Sequence, residues 1–286
     1  MSSDFKTSRY TDTGRTYEPK LTNAVNRYKK SVGLKQDSFI TNEMITALNI
    51  PVKKRIEQIL VNLERFRWMP NHENGSDEFI FVNIPGYRLR YFEKGKQVWD
   101  CNVVVGKTMN KTVIFSGLMQ YVVLSPYWYV PPSIIQKEVV PGMKRNSNYL
   151  ASHHMEWNGG NVRQTPGPHN SLGRVKFIFP NENNIYLHDT PSKSLFDKDN
   201  RAFSHGCVRV AQPRDLAVRI LRNDPNWPPA KIDEAMAGTT EKTVTLKKKI
   251  PVVIAYFTAF VETDGDLNFR EDVYQRDEKL LKLITE

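Results

Sequence analysis

A chain of 286 residues with 40% hydrophobic and 11% aromatic residues has room for one large domain plus a small appendage, and is too apolar to remain disordered. Its longest apolar stretch, Pro251 to Val261, is too short to span a bilayer and is interrupted by Thr258, so no stable membrane insertion is expected. The net charge of +10 suits an anionic cell wall or membrane surface; Lys and Arg are spread along the chain, with Lys247-Lys248-Lys249 the only short run and no nucleic-acid motif, so no nucleic-acid partner is expected.

The opening Met1-Ser2-Ser3-Asp4-Phe5-Lys6 has no apolar run behind it and does not read as an export signal. The first twenty residues are polar, with Gly14 and Pro19 as breakers. Leu21, Ala24, Val25 and Tyr28 then share one face of a helix reaching about Lys30, which Gly33 stops. A short helix follows over Thr41 to Leu48, with Thr41 as cap. Pro51 opens a longer one to about Trp68, whose Ile56, Ile59, Leu60, Leu63 and Phe66 make an apolar stripe. Pro70 and Asn71-His72-Glu73-Asn74-Gly75 end it.

Beyond Gly75 the pattern is that of strands: 79–84, 88–92, 97–105, 119–124, 176–179, 184–188, 244–247 and 252–261. Gly86 and Glu93-Lys94-Gly95-Lys96 supply turns among the first three. The stretch from Pro131 to Pro168 is mixed, with a short helix over Ile134 to Val139 and a polar run to Arg163, and reads as an insertion able to cover a site. Pro213 to Arg222 reads as a helix burying Leu216, Ala217, Ile220 and Leu221.

The segment from Asn184 to Val210 concentrates the chemistry. A thiol attacks a carbonyl as thiolate, so a cysteine nucleophile needs a base nearby. Cys101 lies in the strand-like Val98 to Val105 and reads as a small unpaired hydrophobe, whereas Cys207 lies among His188, His205, Gly206 and Ser204. His188 ends a strand nineteen residues before Cys207, far enough for a loop to bring the two together. His205 would share a face with the thiol only if the chain did not turn at Gly206. Gly206 permits such a bend, and the amides of Gly206 and Cys207 are candidate oxyanion donors. Tyr186 falls on the strand face of His188 and adds a phenolic donor; Ser204 is placed to hold the loop or contact substrate. The rival reading is a zinc site from His188, Asp189, His205 and Cys207, whose spacing does not match closed structural sites.

His188-Asp189-Thr190 followed by Ser204-His205-Gly206-Cys207-Val208-Arg209 resembles the signature of the L,D-transpeptidase (YkuD-type) catalytic domain. Val162 to Pro168, Asn170-Ser171-Leu172-Gly173, Lys176-Phe177 and Phe179-Pro180-Asn181 resemble its YcbB-like branch, in which an insertion caps the active site. Val244 to Asp277 is similar to the C-terminal part of that branch, and Leu21 to Asn49 to the later part of a helical peptidoglycan-binding module whose first helix is not evident. The resemblance implies an α+β fold with a mainly-β catalytic domain (a sandwich or barrel), a lid and a small N-terminal helical module. The implied boundaries are 1–50 for a partial module, 51–75 for a linker helix and 76–286 for the catalytic domain, with its cap at about 131–164.

It further implies that Cys207 attacks the donor tetrapeptide stem with loss of D-alanine, and that His188 is base and acid, oriented by the backbone carbonyl of Asp189. The thioester passes to a diamino-acid side-chain amine, giving a 3–3 cross-link; transfer to water would make the chain an L,D-carboxypeptidase. Ser204, His205, Arg209 and Arg163 are candidate substrate contacts, the two arginines for carboxylates. No metal or organic cofactor is implied. Peptidoglycan stem peptides are the expected partners, carbapenems the expected covalent inhibitors, and the periplasm or cell envelope the expected location. A non-catalytic cell-wall-binding protein is the remaining alternative.

Overall fold

The computed structural model describes residues 18–69 and 78–286. The polar lead up to residue 17 and the stop at Pro70 and Asn71 to Gly75 lie outside these. Three helices come first: α1 (Pro19–Ser31), α2 (Asn42–Leu48), whose cap Thr41 accepts from the Met44 amide at 3.3 Å, and α3 (Val52–Arg67). Strands β1 (Glu78–Asn83), β2 (Arg88–Glu93), β3 (Lys96–Gly106) and β4 (Phe115–Leu124) follow. Lys94 and Gly95 both take positive φ, as a two-residue hairpin between twisted strands requires.

Next come β5 (Trp128–Tyr129), α4 (Pro132–Ile134), a π-helical turn (Ile135–Val139), α5 (Val140–Arg145), α6 (Tyr149–Ser152), β6 (Met155–Asn158) and β7 (Asn161–Gln164). Here β5, β7 and β6 form their own three-stranded sheet, and Val130, Val139 and Val162 their own buried cluster. This segment is thus a small folded unit with its own sheet and core. After it run β8 (Val175–Ile178), β9 (Leu187–His188), a 3₁₀ turn (Lys193–Asp197), β10 (Ala202–Ser204), β11 (Val208–Val210), α7 (Pro213–Leu221) and α8 (Pro229–Ala237). The chain closes with β12 (Lys242–Ala255), β13 (Ala259–Val261), β14 (Leu267–Phe269) and α9 (Asp277–Thr285).

The main sheet runs β10-β3-β11-β9-β8-β4-β12-β1-β2, and β2 also pairs with β3, so the sheet closes on itself around one core. Leu187, Val208 and Val210 point into that core at 0% exposure, with Phe177, Ile80 and Val252. The chain is therefore mixed α and β around a large sheet. The expected strand at 244–247 and the first part of the one at 252–261 form one strand, β12, with a register shift between Thr245 and Ile250 that turns Lys247, Lys248 and Lys249 to solvent, while 259–261 is the separate strand β13, paired with β14.

Helix α3 inverts the ordinary amphipathic arrangement. Leu63 and Phe66 of its apolar stripe are 60% and 69% exposed, while Asn62 and Arg65 are 6% and 5% exposed. Polar partners choose the buried face: Asn62 Nδ2 donates to Thr258 Oγ1 at 2.7 Å, and Arg65 pairs with Asp277 at 2.6 Å. In α1 likewise Val25 is buried beside Lys29, which pairs with Asp37, and Leu21 is left exposed.

Candidate active site

Strands β9 and β11 are parallel neighbours, with Leu187 opposite Val208 and His188 opposite Arg209. Side chains alternate across a strand, so burying Leu187 and Val208 sends His188 and Arg209 to the other face. One step back along each strand, Tyr186 and Cys207 return to that same face. Four chemically active side chains thereby come together because β9 and β11 each keep every second residue in the core. The loop between β10 and β11 supplies the turn, with Gly206 at φ +119°. That value suits a residue without Cβ.

The His188 ring is buried and its Nδ1 lies 2.5 Å from the Asp189 carbonyl oxygen. A carbonyl only accepts, so Nδ1 carries the hydrogen and Nε2 is left as the basic nitrogen. Burial, reinforced by the Arg209 charge, pushes the ring down to about 3; main-chain acceptors at Asp189 and Leu172 only partly oppose this. His188 is therefore a neutral imidazole at neutral pH.

Cys207 is half-buried and free, and its Sγ lies 3.7 Å from the Asn184 carbonyl oxygen. Burial raises its pKa, against the Tyr186 main-chain N–H, the Tyr186 hydroxyl and the Arg209 charge, all of which favour thiolate. Burial first, and then the nearby thiolate, raise the Tyr186 phenol in turn, so it stays a hydrogen-bond donor. The Tyr186 and His188 rings meet edge to face at 5.7 Å. The resting pair is thus thiol and imidazole, both uncharged, with no hydrogen bond between them. Cys101, in contrast, is buried in β3, where loss of solvent lifts its thiol to about 11.

The other sequence candidates separate by role. Ser204 Oγ donates to the Cys207 carbonyl at 2.5 Å and accepts from the Gly206 amide at 3.1 Å, which makes it a brace of the loop. The Gly206 amide is engaged there, while the Cys207 amide has no protein partner among the described residues. His205 is exposed and faces Glu138 of the 131–164 segment at 3.8 Å. Arg163 is held by Glu156 across β6 and β7 (Nε–Oε1 2.8 Å) and stacks on Tyr127 at 4.0 Å, so it is part of an ion pair rather than a free cation. The Arg209 guanidinium has its pKa lowered by burial, and its Nε is a buried donor with no protein acceptor among the described residues.

The Asp189 carboxylate accepts from the Arg174 amide at 2.8 Å and the Thr190 amide at 2.6 Å, and pairs with Lys193. Gly173, at φ +62°, gives it room. Asp189 pairs with Lys193 and His205 faces Glu138, and among the described residues no group of three or more His, Cys, Asp or Glu side chains converges on one point. A cleft of about 1610 Å³ lies between the N-terminal helices and the barrel and includes neither Cys207 nor His188.

Sequence reasoning passed over Thr112 and Tyr274. Thr112 Oγ1 donates to the Gly206 carbonyl at 2.8 Å, and Tyr274 Oη accepts from the Thr112 amide at 3.1 Å. Each is an isolated polar residue in an irregular segment, and no spacing rule marks either. No helix among the described residues is long and apolar enough to cross a membrane.

Comparison with known proteins follows the same lines. A Haemophilus influenzae protein assigned by name to the L,D-transpeptidases is 32% identical over 255 residues, 81% of this chain and 51% of its own length. The chain thus spans about half the length of that relative. Among solved structures, an L,D-transpeptidase from Mycobacterium smegmatis has 11% identity, covering 63% of this chain and 59% of its own, with a TM-score of 0.35. The catalytic domain of an E. faecium L,D-transpeptidase acylated by ertapenem has 14% identity, 63% and 97% coverage, and a TM-score of 0.30. Such scores are too low to carry site geometry from those proteins to this one. The model of the L,D-transpeptidase (YkuD) catalytic domain matches residues 77–254, more than half of the sequence, and the chain belongs to that family.

Proposed function

We propose that the chain is a peptidoglycan L,D-transpeptidase working through a thioester on Cys207. The observation that carries this reading is the convergence of Tyr186, His188, Cys207 and Arg209 on one sheet face, with the imidazole tautomer set by the Asp189 carbonyl. A uniformly neutral resting pair suits base-assisted attack: His188 Nε2 takes the thiol proton as sulfur bonds to the carbonyl carbon between the third stem residue and D-alanine. The oxyanion forms against the Cys207 amide. His188 then hands its proton to the departing D-alanine amine, leaving the thioester. A side-chain amine from a neighbouring stem attacks next, His188 takes its proton, and the thiolate leaves and is reprotonated, yielding the 3–3 cross-link.

Arg209, half-buried and with its buried Nε unpartnered among the described residues, is the carboxylate-binding residue of this reading. Tyr186 holds the sulfur in place through its hydroxyl. The cap, which reaches the cysteine loop at Glu138 and His205, favours the amine over water by limiting water's access. This cap also supports placement in the YcbB-like branch, with the reaction in the cell envelope and carbapenems as acylating inhibitors. No resident cofactor is needed for these steps.

The test is mass spectrometry of purified tetrapeptide muropeptides incubated with the protein and with Cys207→Ala. Dimers joined 3–3 with loss of D-alanine, made by the unsubstituted protein alone, are expected. Tripeptides alone would make hydrolysis the activity, and equal products from both proteins would remove Cys207 from the reaction.

A further inference from the structure

A peptide group has a fixed geometry: in a trans link the carbonyl of one residue and the amide N–H of the next point in opposite directions. No cis peptide occurs among the described residues, so this holds for the bond between Gly206 and Cys207. Its carbonyl end is anchored. Thr112, at 0% exposure, donates through Oγ1 to the Gly206 oxygen at 2.8 Å and accepts through the same oxygen from the Gly106 amide at 2.9 Å. The opposite end, the Cys207 N–H, must then face away from Thr112, and it has no protein partner among the described residues.

We infer that Thr112 is a positioning residue that locks the Gly206–Cys207 peptide plane so that the Cys207 N–H serves as oxyanion donor. The inference rests on Cys207 being the nucleophile. Gly206 alone would not hold this plane, since a glycine at φ +119° is conformationally free. Nor does Ser204 suffice, because its hydroxyl engages the amide before and the carbonyl after the plane in question.

Thr112 is itself held from behind. Tyr274 Oη accepts from the Thr112 amide at 3.1 Å and donates to the Gly106 carbonyl at 2.6 Å, so one phenol braces both neighbours of the lock. The Tyr274 amide donates to Tyr256 Oη at 2.7 Å, and Tyr256 donates to Asp272 at 2.5 Å. Asp272 accepts from the Asp277 amide at 2.7 Å, and Asp277 pairs with Arg65 of α3. A partly buried polar chain thereby runs from α3 to the nucleophile loop, which accounts for the polar choice of the α3 inner face. Its members lie in three separate parts of the sequence, so none is legible from the motif.

The experiment compares two reactions of the same thiol, followed by intact-protein mass spectrometry. Acylation by imipenem passes through an oxyanion; alkylation by iodoacetamide does not. Thr112→Val keeps the shape and removes the hydroxyl. It is expected to slow acylation at least about tenfold, leave alkylation within about twofold, and be rescued by Thr112→Ser. Should Thr112→Val unfold by circular dichroism, Tyr274→Phe carries the test, with a several-fold loss of acylation at unchanged alkylation. Equal loss of both reactions, or acylation at the original rate in a folded variant, overturns the lock. Acylation of Cys207→Ala by imipenem would overturn the nucleophile assignment itself, and the lock with it.

Discussion

Gly173→Ala puts the most direct strain on the support of His188. A Cβ there would lie 2.3 Å from the Asp189 carboxylate carbon, in a residue at φ +62°. The left-handed backbone costs a non-glycine residue roughly 1–2 kcal/mol. Asp189 is 5% exposed, and its carboxylate cannot swing into solvent without releasing the Arg174 or Thr190 amide. Each such charged hydrogen bond is worth roughly 1.5–3 kcal/mol, so with the backbone cost the total is about 2.5–5 kcal/mol. For a domain of this size that corresponds to a fall in Tm of roughly 10 °C. Gly95→Ala is the matched control, because Gly95 has φ +72° and an added methyl group would meet nothing within 4 Å. It should lose only the backbone cost, about 1–2 kcal/mol. Parallel thermal melts by circular dichroism decide the matter. Equal falls for the two variants would refute the claim that Asp189 is wedged against Gly173.

Three further outcomes are expected. Arg65→Met, which strands Asp277, should cost roughly 3 kcal/mol in urea unfolding, and Leu63→Gln less than about 0.5 kcal/mol; the reverse order would mean that α3 packs by its apolar stripe. His188 titrates near 3 when folded and near its ordinary 6.5 when unfolded. Its contribution is therefore complete above pH 6.5 and declines as pH falls toward 3, by up to about 1.4 kcal/mol per pH unit. Replacing it, as in His188→Gln, should flatten the stability profile over that window, and an unchanged slope would show the ring to be solvated. Finally, iodoacetamide at pH 8 should label native protein once, at Cys207; a second adduct at Cys101 would contradict the burial of β3.

Much of this site could be read from residue order because local rules govern it. Alternation along 184–188 places Tyr186 and His188 on one face, and the Gly206 turn keeps His205 off the thiol. The same residues carry the family resemblance. The helix over Pro213 to Leu221 buries Leu216, Ala217, Ile220 and Leu221, as its 3.6-residue spacing indicates. What escaped reading depends on partners distant in sequence. The apolar stripe of α3 points outward because Thr258 and Asp277, some two hundred residues away, bond its polar face. Arg163 belongs to Glu156 and Tyr127 only once β6 and β7 pair. The lysine run that reads as a break in β12 is a bulge within it, and β6 and β7 lie hidden in a stretch whose composition is merely polar.

The central claim, that Cys207 accepts the acyl group, is tested most directly by incubating the protein with imipenem, then digesting it and mapping the adduct by tandem mass spectrometry. One stoichiometric acyl adduct is expected on the peptide containing Ser204 to Arg209, located at Cys207, and none with Cys207→Ala. An adduct on Cys101 or on a serine, or adduct formation that survives Cys207→Ala, would contradict it.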